Sequence, residues 1–132
     1  MKFTIPGNPI AQGRPRFARF GKFVKAYDPK DSSDFKSKVA LFAQRCGFSR
    51  PEGALTVTIV FYMKRPKYLS RKADSVDRIA CFKKPDIDNL IKATFDGCKG
   101  ILYTDDSQIQ SVTASKYYHE IGGQPRTEVT IN

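Results

Sequence analysis

Hydrophobic and polar residues alternate most clearly in the stretch ALTVTIVFYM, residues 54–63. Its apolar side chains fall on one side of an extended chain, at Leu55, Val57, Ile59, Phe61 and Met63. This alternation predicts a strand with one face in a core. Similar stretches predict other strands, at residues 2–6, about 22–27, 101–103, about 109–119 and about 126–131.

Two segments have helical spacing instead. The first begins near Ser32 or Ser33, which are suitable N-cap residues, and Gly47 can end it. Its apolar positions are Phe35, Val39, Phe42, Ala43 and Cys46. The second covers about 89–98, with a buried side formed by Leu90, Ile91, Thr94, Phe95 and Cys98. Together with the strands, they predict an α+β fold: one domain over residues 1–132, with a mixed sheet and two main helices.

Two segments lack a core-facing pattern. Residues 7–21 are rich in Gly, Pro and Asn, which predicts a loop leading into the strand at about 22–27. Residues 64–85 are basic and predict a mobile arm, with one short helix around 70–80.

The charge balance indicates a polyanionic partner. There are 23 Lys and Arg residues against 13 Asp and Glu, a net charge of +10. A basic protein without such a partner remains an alternative. An acidic membrane surface is less favoured, because no Lys-rich amphipathic terminal helix is visible. No apolar run approaches the ~20 residues of a membrane span, and residues 1–10 lack a signal peptide's apolar region, so a cytoplasmic protein is expected.

Cysteine and histidine chemistry is not favoured. The three cysteines are odd in number and form no CxxC, so neither disulfides nor zinc are expected. The chain has one histidine, His119, which leaves carboxylates and lysines as the candidates for catalysis.

The acids are concentrated in one region. Five of the 13 lie between residues 86 and 106, at Asp86, Asp88, Asp96, Asp105 and Asp106. In an extended segment, Asp86 and Asp88 would point to the same side, with Asp88 at the helix N-cap and Lys92 one turn later. Carboxylate oxygens of this kind suit magnesium. The alternative is structural: caps, turns, and a pairing of Lys92 with Asp88 or Asp96.

The run PDIDNLIKATFDGCKGILYTDDSQI, residues 85–109, resembles the signature of the RusA family of Holliday junction resolvases. That resemblance implies that the catalytic, metal-binding acids are Asp86, Asp88 and Asp106, and that Lys92 is the catalytic lysine. It also implies that Asn89 supports the site and that Asp105 tunes it or exchanges roles with Asp106. A magnesium-dependent homodimer that makes paired cuts across a four-way DNA junction, in recombination and repair, is the function implied.

Basic residues elsewhere are candidates for DNA contacts: Arg14, Arg16, Arg19, Lys83 and Lys84. Phe17 and Phe20 alternate with the arginines, and a phenylalanine could wedge into an opened junction. The alternative places both rings in the core or at a dimer contact. Two rival functions stay open at this point, a non-catalytic nucleic-acid-binding module and a structured-RNA nuclease.

Overall fold

A mixed sheet with two helices forms the fold in the computed structural model, which describes residues 1–48 and 50–132. The strands are β1 (Lys2–Pro6), β2 (Arg16–Phe20), β3 (Phe23–Tyr27), β4 (Leu55–Met63), β5 (Ile79–Ala80), β6 (Ile109–Tyr118) and β7 (Arg126–Ile131). The helices are α1 (Lys30–Arg45) and α2 (Ile87–Cys98), and 3-10 turns cover Lys67–Leu69 and Asp106–Gln108. The predicted α+β class, mixed sheet and two helices are confirmed.

Five of the strands form the main sheet, in the order β1-β7-β4-β6-β5. β4 and β6 run parallel, and the other neighbours run antiparallel. The predicted core face of β4 is buried along its whole length, and it shares one core with the buried residues of both helices. The helices therefore cover one face of the sheet.

A close contact at Gly97 fixes α2 against α1. A Cβ atom at this position would lie 2.7 Å from the Cβ of Val39 and 2.9 Å from the carbonyl oxygen of Lys36. Only glycine allows the two backbones to approach this closely. The helix that carries Asp88 and Asp96 is thus seated firmly on the core.

The prediction of a loop over residues 7–21 is wrong for its second half. Residues 16–20 form β2, which pairs with β3 in a hairpin separate from the main sheet. Both strands are mostly exposed, so their side chains carry no core-facing alternation that sequence analysis could detect.

The predicted start of α1 is also wrong. The helix begins at Lys30, after Pro29, and Ser32 lies inside it. The Ser32 hydroxyl accepts a hydrogen bond of 2.9 Å from the amide of Gly13 and donates one of 3.1 Å to the carbonyl oxygen of Ala11. It anchors the N-terminal segment instead of capping the helix.

The basic arm, residues 64–85, is held against the sheet. Its strand β5 pairs with β6 of the main sheet. Within the arm, the buried Arg65 donates hydrogen bonds to the carbonyl oxygens of Leu69, Ser75 and Asp77, at 2.5 to 2.9 Å. The arm is therefore tied down rather than free, and the helix predicted around 70–80 does not form. The strand predicted at 101–103 is a turn, with one isolated bridge between Lys99 and Tyr103.

Candidate active site

Asp86 and Asp88 face one open cavity at the start of α2. Its volume is about 520 Å³, and its other lining residues include Ala114, Ser115 and Lys116 of β6. Asp86, not Asp88, is the N-cap residue, and Asp88 lies in the first turn, so the prediction of an extended pair is wrong. The two carboxylates nevertheless share a cavity, where the amides of the first turn add positive partial charge.

Lys116 is the residue that sequence analysis missed. Its ammonium group donates hydrogen bonds to the carbonyl oxygens of Lys83, at 2.5 Å, and Pro85, at 2.6 Å. The segment that leads to Asp86 is therefore fixed from β6. No local pattern marks Lys116, because its place beside the acids depends on the pairing of β6 with β4.

Lys92 and Asn89 line a second cavity, on another side of α2. This cavity has a volume of about 450 Å³ and is also lined by Gln12, Gly13, Arg14, Pro15, Asp28, Lys36 and Asp96. Lys92 is exposed, as predicted for the polar face. Arg14, a predicted DNA contact, lies at the same cavity as the predicted catalytic lysine.

Lys36 forms ion pairs with both acids that line this second cavity. Its ammonium nitrogen lies 2.6 Å from Asp28 and 3.3 Å from Asp96. Lys36, with a smaller effect from Lys92, holds the pKa of Asp28 below its usual value. Among the residues that the structure describes, Lys92 forms no ion pair. The alternative in which Lys92 pairs with Asp88 or Asp96 is therefore not observed.

Asp106 lies at the opposite end of α2. Its neighbour Asp105 pairs at 3.0 Å with Lys99, the residue that follows α2. The pKa of Cys98, the last residue of the helix, is raised to about 12, chiefly by burial and in small part by the charge of Asp106. The pKa of Tyr103 is raised chiefly by burial, and further by the charges of Cys98 and Asp106. α2 has 12 residues, and a helix of that length measures about 18 Å. The turn at 105–106 therefore lies about one helix length from Asp86 and Asp88.

Asp105 and Asp106 differ in their surroundings. Asp105 caps the 3-10 turn and pairs with Lys99 at 3.0 Å, and this pairing lowers the pKa of Asp105. The Oδ1 atom of Asp106 is buried without a hydrogen-bond partner. A buried carboxylate oxygen is costly without one, which suits a missing cation or donor.

The three acids do not converge within one chain. Across residues 1–48 and 50–132, no group of three His, Cys, Asp or Glu side chains is placed to hold a metal ion. The structure brings Asp86 and Asp88 together, and it leaves Asp106 apart from them. Two carboxylates at an open cavity are suitable ligands for magnesium, because this ion usually binds one or two carboxylates and keeps several water ligands.

The predicted DNA contacts are on the surface. Arg14, Arg16 and Arg19 are exposed at the hairpin, and Lys83 and Lys84 are exposed just before the acid pair. Phe17 and Phe20 are 70% and 63% exposed, so neither belongs to the core of this chain.

Comparison with known proteins gives two matches. A sequence model of the family described as Endodeoxyribonuclease RusA matches residues 6–132. The uncharacterized protein YqaN of Bacillus subtilis (strain 168) is 38% identical over 141 aligned positions, which cover 99% of this chain and 94% of that protein. In the described part of the chain, no helix has the length and apolar character needed to cross a membrane.

Proposed function

Because the chain belongs to the RusA family of endodeoxyribonucleases, which are Holliday junction resolvases, we propose that residues 1–132 form one nuclease domain that cuts four-way DNA junctions in pairs, with magnesium. Family membership makes the chain an enzyme that hydrolyses phosphodiester bonds in DNA. The proposal adds the metal, the residues of the site and the pairing of the incisions.

The shared cavity of Asp86 and Asp88 is the observation that carries this proposal. Structural capping would not need both acids there, because the Asp86 side chain makes no capping hydrogen bond. Both carboxylates are exposed at one cavity, and a divalent cation there would offset their negative charges. A metal site therefore explains this pair better than helix capping does.

Asp86 and Asp88 would hold the magnesium ion, with Asp106 as a third ligand. The bound ion would activate water and stabilise charge on the phosphate. Lys92 would stabilise the developing negative charge of the phosphate as a fixed cation, because no acid pairs with it in the described residues. Asn89 lines the same cavity as Lys92 and would orient the substrate there.

A second copy of the chain would complete the site. Asp106 lies one helix length from Asp86 and Asp88, and its Oδ1 atom lacks a partner. A twofold axis that packs two α2 helices antiparallel puts the end of each helix beside the start of the other. The Asp106 of each chain would then serve the acid pair of the other, and the dimer would carry two sites for two cuts.

The exposed basic residues would hold the DNA. Lys83 and Lys84 lie three and two residues before Asp86, and Arg14 lies at the cavity that contains Lys92. Cations in these places would bind the phosphates on both sides of the scissile bond. Binding is then salt-dependent, because each phosphate contact releases counterions.

A cleavage assay tests the proposal. Purified protein is incubated with a labelled four-way junction, a linear duplex of the same arms and a structured RNA, each with magnesium and with EDTA. We expect paired cuts in the junction only, and only with magnesium. Binding to the junction without cleavage would support a non-catalytic binding module instead, and cleavage of RNA alone would support an RNA nuclease.

A further inference from the structure

The β2–β3 hairpin, residues 16–27, forms its own two-stranded sheet. At its tip, Phe20 pairs directly with Phe23 across the turn. Gly21 occupies the left-handed region, with φ of 61°, which lets the chain reverse tightly there. Cross-strand partners lie on the same face of a hairpin, so both rings project from one face at its tip.

Apolar side chains of this hairpin are unusually exposed. Phe23 is 79% exposed and Phe20 63%, and Phe17, Val24 and Tyr27 are also exposed. A two-stranded hairpin is marginally stable in water when nothing packs on it. An exposed apolar surface of this kind marks an interaction site.

Charge selects the partner. Residues 14–27 contain Arg14, Arg16, Arg19, Lys22 and Lys25, and no acid. A twofold contact between this hairpin and the same hairpin of a second copy would bring these cations together with no acid to offset them. DNA supplies the opposite charge to the cations. The hairpin therefore fits DNA better than a second copy.

The two aromatic rings favour the branch point of a DNA junction over intact duplex. An intact duplex shows only base edges in its grooves, and its base faces are stacked. At a branch point the stack is interrupted, and a base face can accept an aromatic ring. The cations along both strands would contact the phosphates of the arms, while the tip reaches the centre.

The base of the hairpin is tied to the candidate active site. The amide of Gln12 donates a hydrogen bond of 2.9 Å to the carbonyl oxygen of Asn89, in the first turn of α2. The side chain of Gln12 also donates one of 3.2 Å to Asp28, which follows β3. The base of the hairpin is thus held at a set position relative to Asp86 and Asp88.

We propose that Phe20 and Phe23 insert at the branch point of a four-way junction and stack on its opened bases. The hairpin thereby recognises the branched structure, and its link to α2 sets which phosphates reach the acids. This inference rests on the proposed junction nuclease, and it assigns the structural selectivity of that nuclease to two named rings.

Binding assays in calcium or EDTA, where junctions stay intact, test this inference. The substrates are a four-way junction with 2-aminopurine at the branch point and a linear duplex of the same arms. We expect wild type to raise the 2-aminopurine fluorescence, as the base leaves its stack. Phe20→Ala with Phe23→Ala should abolish that rise and weaken junction affinity about tenfold or more, with duplex affinity unchanged.

Two control variants show whether a loss of junction affinity and fluorescence comes from the missing aromatic rings. Phe20→Tyr with Phe23→Tyr keeps both rings and should behave as wild type. Val76→Ala removes another exposed apolar side chain, on the basic arm, and should change nothing. Because the three side chains changed, Phe20, Phe23 and Val76, lie outside the core, melting temperatures should agree among all variants.

Three results would overturn the inference. Unchanged junction preference and fluorescence in the alanine variant would remove the rings from the branch point. A loss of the dimer by light scattering, with junction preference kept, would make the hairpin a subunit contact. If wild type itself neither prefers nor cuts junctions, the proposed function fails first, and this inference fails with it.

Discussion

The ammonium group of Lys116 lies 2.6 Å from the carbonyl oxygen of Pro85, the residue directly before Asp86. A strand of the main sheet therefore fixes the entry to the helix that carries the acid pair. A second hydrogen bond, to the carbonyl oxygen of Lys83, makes this fixation stronger. Lys116 is thus a positioning residue for the proposed metal site.

Lys116→Met should loosen the acid pair without unfolding the protein. Loss of these charged hydrogen bonds should lower the free energy of unfolding by about 2 kcal/mol. The magnesium concentration for half-maximal cleavage should rise, because Asp86 is no longer held in place. Magnesium titrations well below the melting temperature check this. Lys116→Arg should restore part of the magnesium affinity, and an unchanged titration for Lys116→Met would leave Lys116 a purely structural residue.

Single acid-to-amide changes should separate catalysis from folding. Asp86→Asn, Asp88→Asn and Asp106→Asn each keep the side-chain size and remove one proposed metal ligand. Cleavage should fall to background, while junction binding persists through the basic surface. Asp88→Asn should lose at most about 1 kcal/mol of stability, since a helix start favours negative charge. Wild-type cleavage by Asp86→Asn or Asp88→Asn would return both acids to a capping role.

A mixture of two inactive variants tests whether the site is shared between subunits. Asp86→Asn and Asp106→Asn are each expected to be inactive alone. In a mixed dimer, a shared arrangement places both changes in one site and leaves the other site intact, so about a quarter of all sites recover. The intact sites should nick one strand per junction. No recovery in the mixture, with subunit exchange confirmed, would contradict a shared site.

Lys92→Ala should leave the fold intact, because Lys92 is exposed on α2. Cleavage should fall about a hundredfold or more, by loss of a fixed cation near the phosphate. Single-turnover cleavage rates at saturating magnesium measure this effect. Lys92→Arg, which keeps the charge, should retain more activity, and a wild-type rate for Lys92→Ala would exclude a catalytic role.

The contact between Lys36 and Asp28 predicts a pH effect. Lys36 depresses the pKa of Asp28 in the folded state, so this contact stabilises the protein at neutral pH and is lost as pH falls through that depressed value. Lys36→Met should raise the pKa of Asp28, seen by NMR titration, and flatten the melting-temperature profile below about pH 4. Lys38→Met, on the same helix, is the control and should leave both measurements unchanged.

Sequence analysis succeeded where side chains meet the core. The alternation in β4 and the helical spacing in α2 are set by burial, so both patterns can be seen in the chain itself. It failed at β2, where the side chains face solvent and no core imposes a period. The start of α1 was missed for a different reason: the buried Ser32 hydroxyl bonds to a segment that is distant in the chain, so it does not cap the helix.

The candidate site was predicted in part for similar reasons. Asp86 and Asp88 are two residues apart, so their spacing already placed them near one another. Lys92 comes one turn later on α2, but it lines a different cavity from the acid pair. Lys116 could not be found, because the parallel pairing of β4 with β6 brings it to Pro85. Asp106 was grouped with the acid pair by resemblance, whereas the length of α2 separates them in one chain.

The position of β7 has a consequence for synthesis of the protein. This strand lies between β1 and β4, although both precede it in the chain. Until residues 126–131 have left the ribosome, β1 and β4 each keep an open edge, and the sheet beneath α2 is incomplete. Such a partial chain is prone to aggregation. The main sheet that supports α2 is therefore complete only after residues 126–131 have emerged, and until then a strongly basic nascent chain can contact nucleic acid without an assembled active site.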